Sequence, residues 1–418
     1  MSDSDRNREA FNLLGQHVNE PLGRLISFMG FDVVEDTAEG CWITDVNGER
    51  YLDFLGGFGS LNLGHRHKEV VAAVELQLRR MPLSSKVMLN EPMIHAAKAL
   101  AEVTPEGLNK VFFVNSGAEA VEGALKLARI KTGRSGIVYT SRAFHGKTLG
   151  ALSTCGTHKY REPVGHLLPD HVEVPFGDLD ALKAAVTEDV AAFIVEPVQG
   201  EAGIYDAPEG YLSAAREICH ARGALLILDE IQTGFGRTGA FFAAEKHGVS
   251  PDIMTLAKSL GGGVMPVGAI VGTDEVWELF EENPLIHSST FGGNPLAGAA
   301  VHAAVQITRR EKLWEKAEGA GKKILERLAP LASEYDDLID AVRGAGLMIG
   351  VDFNDEDVGG LIIAGLANRG VIVAYALNCP RVMRIEPPLA VSEEEIDVFF
   401  KAFEEALAET RQMIEDLQ

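Results

Sequence analysis

From residue 110 onwards, short apolar runs alternate with amphipathic segments. Residues Val121, Ala124, Leu125 and Ala128 follow the first run at the i, i+3, i+4, i+7 spacing of a helix. Another helical segment covers residues 211–221. The runs that we predict as strands are residues 111–114, 136–140, 191–195, 224–229, 252–256 and 267–271. This alternation predicts an α/β fold with a mostly parallel central sheet, covered by helices on both faces.

Different patterns flank this region. Residues 41–54 predict a β-hairpin that is closed by Asn47-Gly48 in a type I′ turn. After residue 299 we predict a long helix to residue 334, strands at 346–353, 371–374 and 382–385, a helix at 361–368 and a last helix opened by the capping box Ser392 and Glu395. We therefore predict an N-terminal segment at 1–60 that contributes to a small domain, a large domain at 61–299 and a small α+β domain at 300–418.

Composition limits the class of partner. The 418 residues carry a formal net charge of −23, which argues against nucleic acid and anionic membrane surfaces. The four cysteines are widely spaced without a CxxC pair, so we expect neither a disulfide framework nor a zinc site. No signal peptide is visible, and no apolar run reaches the ~18 residues of a membrane span. We expect a soluble cytoplasmic protein without a metal site.

Two predicted strands supply the candidate chemistry. Residues 224–229 end at Asp229, which Glu230 follows, and another apolar run ends at Lys258, directly before three glycines. A carboxylate at the end of a buried strand is unfavourable unless a cation faces it. An acid and a lysine in one crevice are typical of a pyridoxal phosphate site. There the lysine forms a Schiff base and the acid keeps the ring nitrogen protonated.

Two further segments suit the same cofactor. Ser116, Gly117 and Ala118 begin a helix, and free N–H groups at the positive end of a helix dipole bind phosphate. Ser116 and Glu119 have the spacing of a capping box. Phe144 lies just after a strand, where it can stack on a pyridine ring.

Other interpretations of these residues are possible. An apolar strand that ends in Asp229-Glu230 is also typical of the magnesium-binding strand of P-loop NTPases. The candidate phosphate loop at 141–148 disfavours an NTPase, because Ser141 replaces a required glycine and Phe144 and His145 are bulky. A mutase or racemase with the same cofactor and fold is a further alternative.

The chain resembles class III aminotransferases, the ornithine, acetylornithine and 4-aminobutyrate type, over nearly its full length. The segments that carry the resemblance are residues 115–120, 143–148, 196–203, 228–239, 256–263, 289–295 and 384–389. The resemblance implies fold type I and a homodimer or tetramer with active sites at the subunit interface. It also implies Lys258 as the Schiff-base lysine and Asp229 as the partner of the ring nitrogen. The other implied cofactor-binding residues are Ser116, Gly117, Ala118, Phe144, His145, Gln232 and, from the other subunit, Thr290.

The same resemblance suggests a substrate class. Arg384 matches the arginine that binds the keto-acid carboxylate, and Glu201 matches the glutamate that pairs with it when the amine has no carboxylate there. Lys147 stands where many relatives have an arginine for the distal carboxylate of 2-oxoglutarate, so pyruvate is a second candidate acceptor. Residues 58–66, which include the candidate substrate contact Phe58, most resemble putrescine aminotransferases. We expect a terminal amine or diamine as the donor, with acetylornithine, ornithine and 4-aminobutyrate as alternatives.

Overall fold

A computed structural model describes residues 3–417 of the chain. Its strands are β1 Glu35–Glu39, β2 Trp42–Asp45, β3 Arg50–Asp53, β4 Lys110–Val114, β5 Gly136–Thr140, β6 His171–Val174, β7 Val190–Val195, β8 Val198–Gln199, β9 Tyr205–Asp206, β10 Leu225–Asp229, β11 Ile253–Leu256, β12 Gly268–Gly272, β13 Ile339–Ala345, β14 Met348–Phe353, β15 Val371–Ile372, β16 Ala374–Ala376 and β17 Cys379–Ile385. Its α-helices are α1 Asp3–Leu14, α2 Glu20–Phe28, α3 Lys68–Arg80, α4 Glu91–Ala101, α5 Gly117–Thr132, α6 Leu149–Ser153, α7 His158–Arg161, α8 Leu179–Ala185, α9 Tyr211–Ala221, α10 Ala243–Lys246, α11 Asp274–Trp277, α12 Leu279–Glu282, α13 Pro295–Glu311, α14 Leu313–Glu334, α15 Glu356–Ala367 and α16 Glu393–Leu417.

A seven-stranded sheet forms the centre of the fold, in the order β4-β12-β11-β10-β7-β5-β6. Only β12 in this sheet runs antiparallel to its neighbours, so the predicted mostly parallel sheet is confirmed. The strands β5, β7, β10 and β11 end at the same edge, because their directions agree. This edge is where an open α/β sheet normally binds ligands.

Two four-stranded sheets lie outside the central sheet. One joins β1, β2 and β3 to β15, and the other has the order β13-β14-β17-β16. The N-terminal strands and the C-terminal helices share one apolar core, in which the rings of Phe54 and Phe399 stack at 4.7 Å. Helix α13 crosses the predicted boundary between residues 299 and 300, so the exact division into domains stays a prediction. Within residues 3–417, no helix has both the length and the apolar character needed to cross a membrane.

Several local predictions need correction. The hairpin of β2 and β3 is present, but its turn is not type I′, because Gly48 has a positive φ and Asn47 does not. The long helix predicted after residue 299 is two helices, since Lys312 between them is left-handed with φ 48°. Residues 371–374, predicted as one strand, are split between β15 and β16 in different sheets. The capping box of Ser392 and Glu395 is confirmed by reciprocal hydrogen bonds of 2.8 and 3.2 Å.

A close backbone contact fixes α14 against the turn between β13 and β14. A Cβ atom added at Gly321 would lie 1.9 Å from the carbonyl oxygen of Gly346. A Cβ added at Gly346 would in turn lie 2.5 Å from the carbonyl carbon of Thr238. Three backbone segments therefore meet where side chains have no room, and this contact ties the C-terminal part to the segment after β10.

We expect Gly321→Ala to lower the free energy of unfolding by about 1–3 kcal/mol, because backbone must move to accept the methyl group. Gly319→Ala is the matched control in the same helix, since a Cβ there meets nothing within 4 Å. It should raise stability by about 0.5–1 kcal/mol through helix propensity. Urea unfolding of both variants measures the difference, and equal effects would contradict the packing argument.

Candidate active site

A cavity of about 580 Å³ opens at the edge where the parallel strands end. The predicted cofactor residues that line it are Ser116, Gly117, Ala118, Phe144, His145, Asp229, Gln232 and Lys258. Thr290 does not line this cavity and instead borders a separate depression together with Lys86 and Leu285. One chain therefore brings together every predicted cofactor residue except Thr290.

Asp229 is fixed at the end of β10 by three donors. Its Oδ1 accepts hydrogen bonds from the N–H of Ile231 and the hydroxyl of Thr255, each at 3.1 Å. Its Oδ2 lies 2.6 Å from Nδ1 of His145. Glu230, the next residue, is held outside the cavity by Thr233 and the N–H groups of Ala243 and Ala244. Asp229 is thus the carboxylate of this pair that a ligand in the cavity can meet.

Lys258 begins a short 3₁₀ turn one residue after the end of β11, with a left-handed φ of 45°. A non-glycine residue in this region is strained, and such strain is frequent at functional sites. Burial lowers the pKa of the Lys258 amine, against the opposing effect of the carboxylates of Glu386 and Glu201. A lowered pKa leaves more of the amine unprotonated near neutral pH, where it can act as a nucleophile and as a base.

The start of α5 forms the phosphate end of the cavity. Ser116 caps the helix, and its hydroxyl accepts from the N–H of Glu119 at 3.2 Å. The reciprocal half of the predicted capping box is displaced by one residue, because Glu119 accepts from the N–H of Asn115. A Cβ at Gly117 would lie 2.9 Å from a methyl group of Ile231, so the backbone approaches the cavity closely here. Free N–H groups in such a turn suit a phosphate.

Phe144 and Gln232 are anchored by carboxylates that the sequence reasoning missed. The N–H of Phe144 donates to Glu196 at 2.9 Å, and the amide of Gln232 donates to Glu386 at 2.6 Å. Burial raises the pKa of Glu196 to about 7, although His145 opposes this shift. Glu196 directly follows β7, which ends at this edge, and Glu386 directly follows β17 of the neighbouring small sheet. A carboxylate directly after a strand is the signal that could have identified both.

The predicted substrate residues lie beside the cavity. Arg384 on β17 donates to Glu201 at 3.0 Å, and its side chain is 1% exposed. Burial alone would raise the pKa of Glu201, but Arg384 and Lys258 together with the N–H of Leu377 lower it. The Arg384 guanidinium also lies 5.1 Å from the ring centroid of Phe58.

Phe58 belongs to a left-handed turn, Gly56–Gly59, in which all four residues have positive φ. A Cβ at Gly56 would lie 2.4 Å from the carbonyl oxygen of Glu386. The glycine-rich sequence therefore allows the turn to press against the residues around Arg384. Lys147, in contrast, is exposed, and its amine lies 4.1 Å from the ring centroid of Tyr160.

These residues fit pyridoxal phosphate in every chemical feature that the cofactor needs. The free helix N-terminus suits its phosphate, Phe144 offers an aromatic face, and Asp229 offers a carboxylate for the ring nitrogen. Lys258 supplies the amine for its aldehyde. Gly117 and Gly200 leave room for neighbouring side chains. A Cβ at Gly200 would lie 2.3 Å from the side-chain oxygen of Gln232.

We expect the buried Glu196 to make stability depend on pH. Its folded pKa of about 7 exceeds the unfolded value, so the neutral form is favoured by folding and stability falls as pH rises through about 7. Glu196→Gln is neutral at every pH and should gain about 1–3 kcal/mol relative to the wild type between pH 5 and pH 8. Unfolding of cofactor-free protein measures this gain. The exposed Glu217→Gln is the control, and a parallel pH profile for both variants would contradict the assignment.

Comparisons with known proteins agree with this chemistry. The family model Aminotransferase class-III matches residues 29–407. The ornithine aminotransferase of Toxoplasma gondii ME49 is 33% identical, with a TM-score of 0.90 over 97% of this chain and 96% of that one. The acetylornithine aminotransferase of Elizabethkingia anophelis is 32% identical, with a TM-score of 0.82 over 98% and 100%. An (S)-enantioselective omega-transaminase of Thermomicrobium roseum is 32% identical, with a TM-score of 0.84 over 90% and 93%. The chain belongs to the class III aminotransferases, enzymes whose cofactor is pyridoxal 5′-phosphate.

Proposed function

We propose that this aminotransferase takes the amino group from a terminal amine or diamine of the putrescine type and transfers it to 2-oxoglutarate or pyruvate. The buried ion pair of Arg384 and Glu201 is the observation that carries this proposal. Ornithine or acetylornithine is the alternative donor, because aminotransferases of both names are among the similar structures.

The ion pair makes the pocket suitable for two different substrates. A buried guanidinium is unfavourable unless an anion faces it, and Glu201 provides that anion at 3.0 Å. With Glu201 in place, this side of the pocket carries no unpaired charge and suits a donor that has no carboxylate there. A keto acid brings its own carboxylate, which can take the planar fork of Arg384 once Glu201 moves aside. The other oxygen of Glu201 accepts a hydrogen bond from the N–H of Leu377 at 2.9 Å. When Glu201 moves, this hydrogen bond must break or Leu377 must move with it.

The residues that line the cavity have separate roles in the reaction. Pyridoxal phosphate supplies, when bound, an electron sink for the carbon that loses its proton. Lys258 is the base that accepts and returns this proton at its amine, which its lowered pKa favours. Asp229 would hold the ring nitrogen, and Phe144 and Gln232 are kept in position by Glu196 and Glu386.

The acceptor is less tightly specified. Lys147 is exposed and lies over the ring of Tyr160, so it presents a single charge and no fork. Weak recognition of a distal carboxylate supports both 2-oxoglutarate and pyruvate as acceptors.

The donor is tested with single-turnover reactions of putrescine, ornithine, N-acetylornithine and 4-aminobutyrate, followed by the return reaction with each keto acid. We expect the highest kcat/KM with putrescine. Arg384→Ala should reduce kcat/KM for the keto-acid half-reaction about 100-fold or more, because a buried charged contact is lost. The same variant should reduce the amine half-reaction less than about tenfold.

The control is Arg381→Ala on the same strand, since Arg381 pairs with Asp340 and Asp352 instead of Glu201. It should leave both half-reactions near the wild-type rates. Equal losses in both half-reactions of Arg384→Ala would refute the alternating use of Arg384. Turnover without any keto acid would instead favour a mutase or racemase.

We further propose a homodimer in which Thr290 reaches the phosphate of the partner subunit. Val87, Met88 and Leu89 are 86%, 81% and 92% exposed, and they follow Lys86, which borders the same depression as Thr290. An exposed apolar stretch of this kind is typical of a surface that another subunit covers.

Leu89→Asp should therefore produce monomers in sedimentation, because a buried charge opposes association. Both Leu89→Asp and Thr290→Ala should weaken binding of pyridoxal phosphate about tenfold, the effect of one lost hydrogen bond to a charged group. Val398→Asp, on the exposed face of α16, is the control and should change neither property. A monomer that binds the cofactor as tightly as the wild type would contradict the shared site.

A further inference from the structure

Asp53 and His65 join the two ends of a loop that passes beside Arg384. Asp53 is the last residue of β3, and His65 follows 12 positions later in the chain. Oδ2 of Asp53 lies 2.8 Å from Nε2 of His65, and the two side chains are 4% and 17% exposed. A carboxylate accepts hydrogen bonds and does not donate them, so Nε2 of His65 is the donor. Residues 53–65 therefore form a loop closed by one buried side-chain contact, the 53–65 loop.

The other oxygen of Asp53 holds the start of the left-handed turn Gly56–Gly59. Oδ1 accepts hydrogen bonds from the N–H of Leu55 at 3.0 Å and from the N–H of Gly56 at 2.8 Å. A left-handed helical turn is unfavourable for a residue with a Cβ atom, and Phe58 is such a residue in this turn. The hydrogen bonds to Asp53 thus stabilise a conformation that the local sequence alone disfavours.

The second half of the 53–65 loop has anchors of its own. The guanidinium of Arg237 donates to the side-chain oxygen of Asn62 at 2.7 Å. The backbone of His65 exchanges hydrogen bonds of 2.8 and 3.1 Å with that of Gly40. Because these contacts do not involve the imidazole, loss of the His65 side chain should act mainly on Asp53 and on the turn that Asp53 holds.

The turn in this loop contacts the arginine to which we assign the keto-acid carboxylate. The guanidinium carbon of Arg384 lies 5.1 Å from the ring centroid of Phe58. Arg384 donates to Glu201, while its Nε is buried and has no hydrogen-bond partner within residues 3–417. An aromatic ring at this distance attracts the guanidinium and limits the orientations that its plane can adopt. The position of Phe58 therefore affects how the fork of Arg384 meets a carboxylate.

We propose that Asp53 and His65 are positioning residues for the keto-acid half-reaction, which hold the turn at Phe58 against Arg384 and thereby set the affinity for the keto acid. Without His65, Oδ2 of Asp53 would lose the one hydrogen bond that it accepts within residues 3–417. The carboxylate could then rotate and release the N–H groups of the turn. The inference rests on the proposed role of Arg384 and is independent of which amine is the donor.

The test uses the full-length holoenzyme in single-turnover reactions with 2-oxoglutarate, pyruvate and the best amine donor. His65→Ala removes the hydrogen bond, whereas His65→Gln keeps a neutral N–H donor. We expect His65→Ala to raise the keto-acid concentration at half-maximal rate about tenfold, because the guanidinium is no longer held in orientation. The rate at saturating keto acid and the whole amine half-reaction should change less than about twofold. His65→Gln should raise the keto-acid concentration less than about threefold.

Phe58→Gly shows whether His65 acts through the ring of Phe58. Glycine adopts positive φ without strain, so this variant removes the ring and retains the turn. In this background His65→Ala should raise the keto-acid concentration less than about twofold further, because the ring through which it acts is absent. Losses that multiply in the double variant would overturn the proposal. Equal losses for His65→Ala and His65→Gln, or equal losses in both half-reactions, would also overturn it.

His220 and Asp252 provide a matched control outside the cavity. Nε2 of His220 lies 3.0 Å from the carboxylate of Asp252, which also accepts from the N–H of Leu226 at 2.7 Å. This pair thus has the same chemistry as Asp53 and His65 without a contact to Arg384. His220→Ala should leave both half-reactions unchanged, and a tenfold effect on the keto acid there would overturn the assignment to the 53–65 loop.

Asp53→Ser decides the question if His65→Ala does not fold. Serine keeps an oxygen that can accept from the N–H groups of the turn, but it lacks the oxygen that faces His65. This variant should raise the keto-acid concentration at half-maximal rate about fivefold or more, and a value within about twofold of the wild type would overturn the proposal.

Arg384→Ala separates failure of this inference from failure of the proposed function. Equal losses in both half-reactions of Arg384→Ala would refute the alternating use of Arg384 and, with it, the role of the 53–65 loop. A selective keto-acid loss in Arg384→Ala, combined with wild-type behaviour of His65→Ala, would overturn only the inference about Asp53 and His65.

Discussion

Mutual neutralisation of buried charges is the constraint on which this site depends. The end of the central sheet brings Asp229, Glu196 and Lys258 into one poorly solvated region, and Arg384 and Glu386 come from the neighbouring small sheet. An isolated charge in such surroundings would cost far more than any single hydrogen bond returns. The arrangement is tolerable because each carboxylate faces a cation or an N–H group. Because these buried charges neutralise one another, a ligand that brings its own charge changes the electrostatic energy of the whole group.

A further buried cation, Arg237, connects the separate sheets. Arg237 is fully buried and donates to the carbonyl oxygens of Leu347 and Pro387 and to the side chain of Asn62. Burial lowers its pKa to about 10, so the guanidinium remains charged at neutral pH. Because its partners come from the N-terminal part and the C-terminal part, Arg237 fixes both relative to the segment after β10. The position of Glu386 therefore depends on a residue outside the cavity.

Local patterns were sufficient to predict six of the seven strands of the central sheet, all but β6, and the cavity residues Ser116, Phe144, Asp229 and Lys258. His145 and Gln232 were expected only from the family resemblance. Asp229 and Lys258 each end an apolar run, and this is visible without any knowledge of the fold. The pairs that fix Asp229 and Gln232 are not visible, because His145 is 84 residues from Asp229 and Glu386 is 154 residues from Gln232. The kink at Lys312 was missed for a related reason. A lysine seldom has a positive φ, so nothing local in the sequence indicates this break.

The left-handed turn around Phe58 restricts how this enzyme can diversify. Phe58 has a φ of 58°, and a side chain branched at Cβ tolerates that backbone poorly. Replacement by valine, isoleucine or threonine would therefore disturb the chain path as well as the contact with Arg384. Evolution or laboratory selection at this position is therefore restricted to unbranched, aromatic, asparagine or glycine side chains. The backbone, and not only the shape of the ligand, thus decides which variants are accessible.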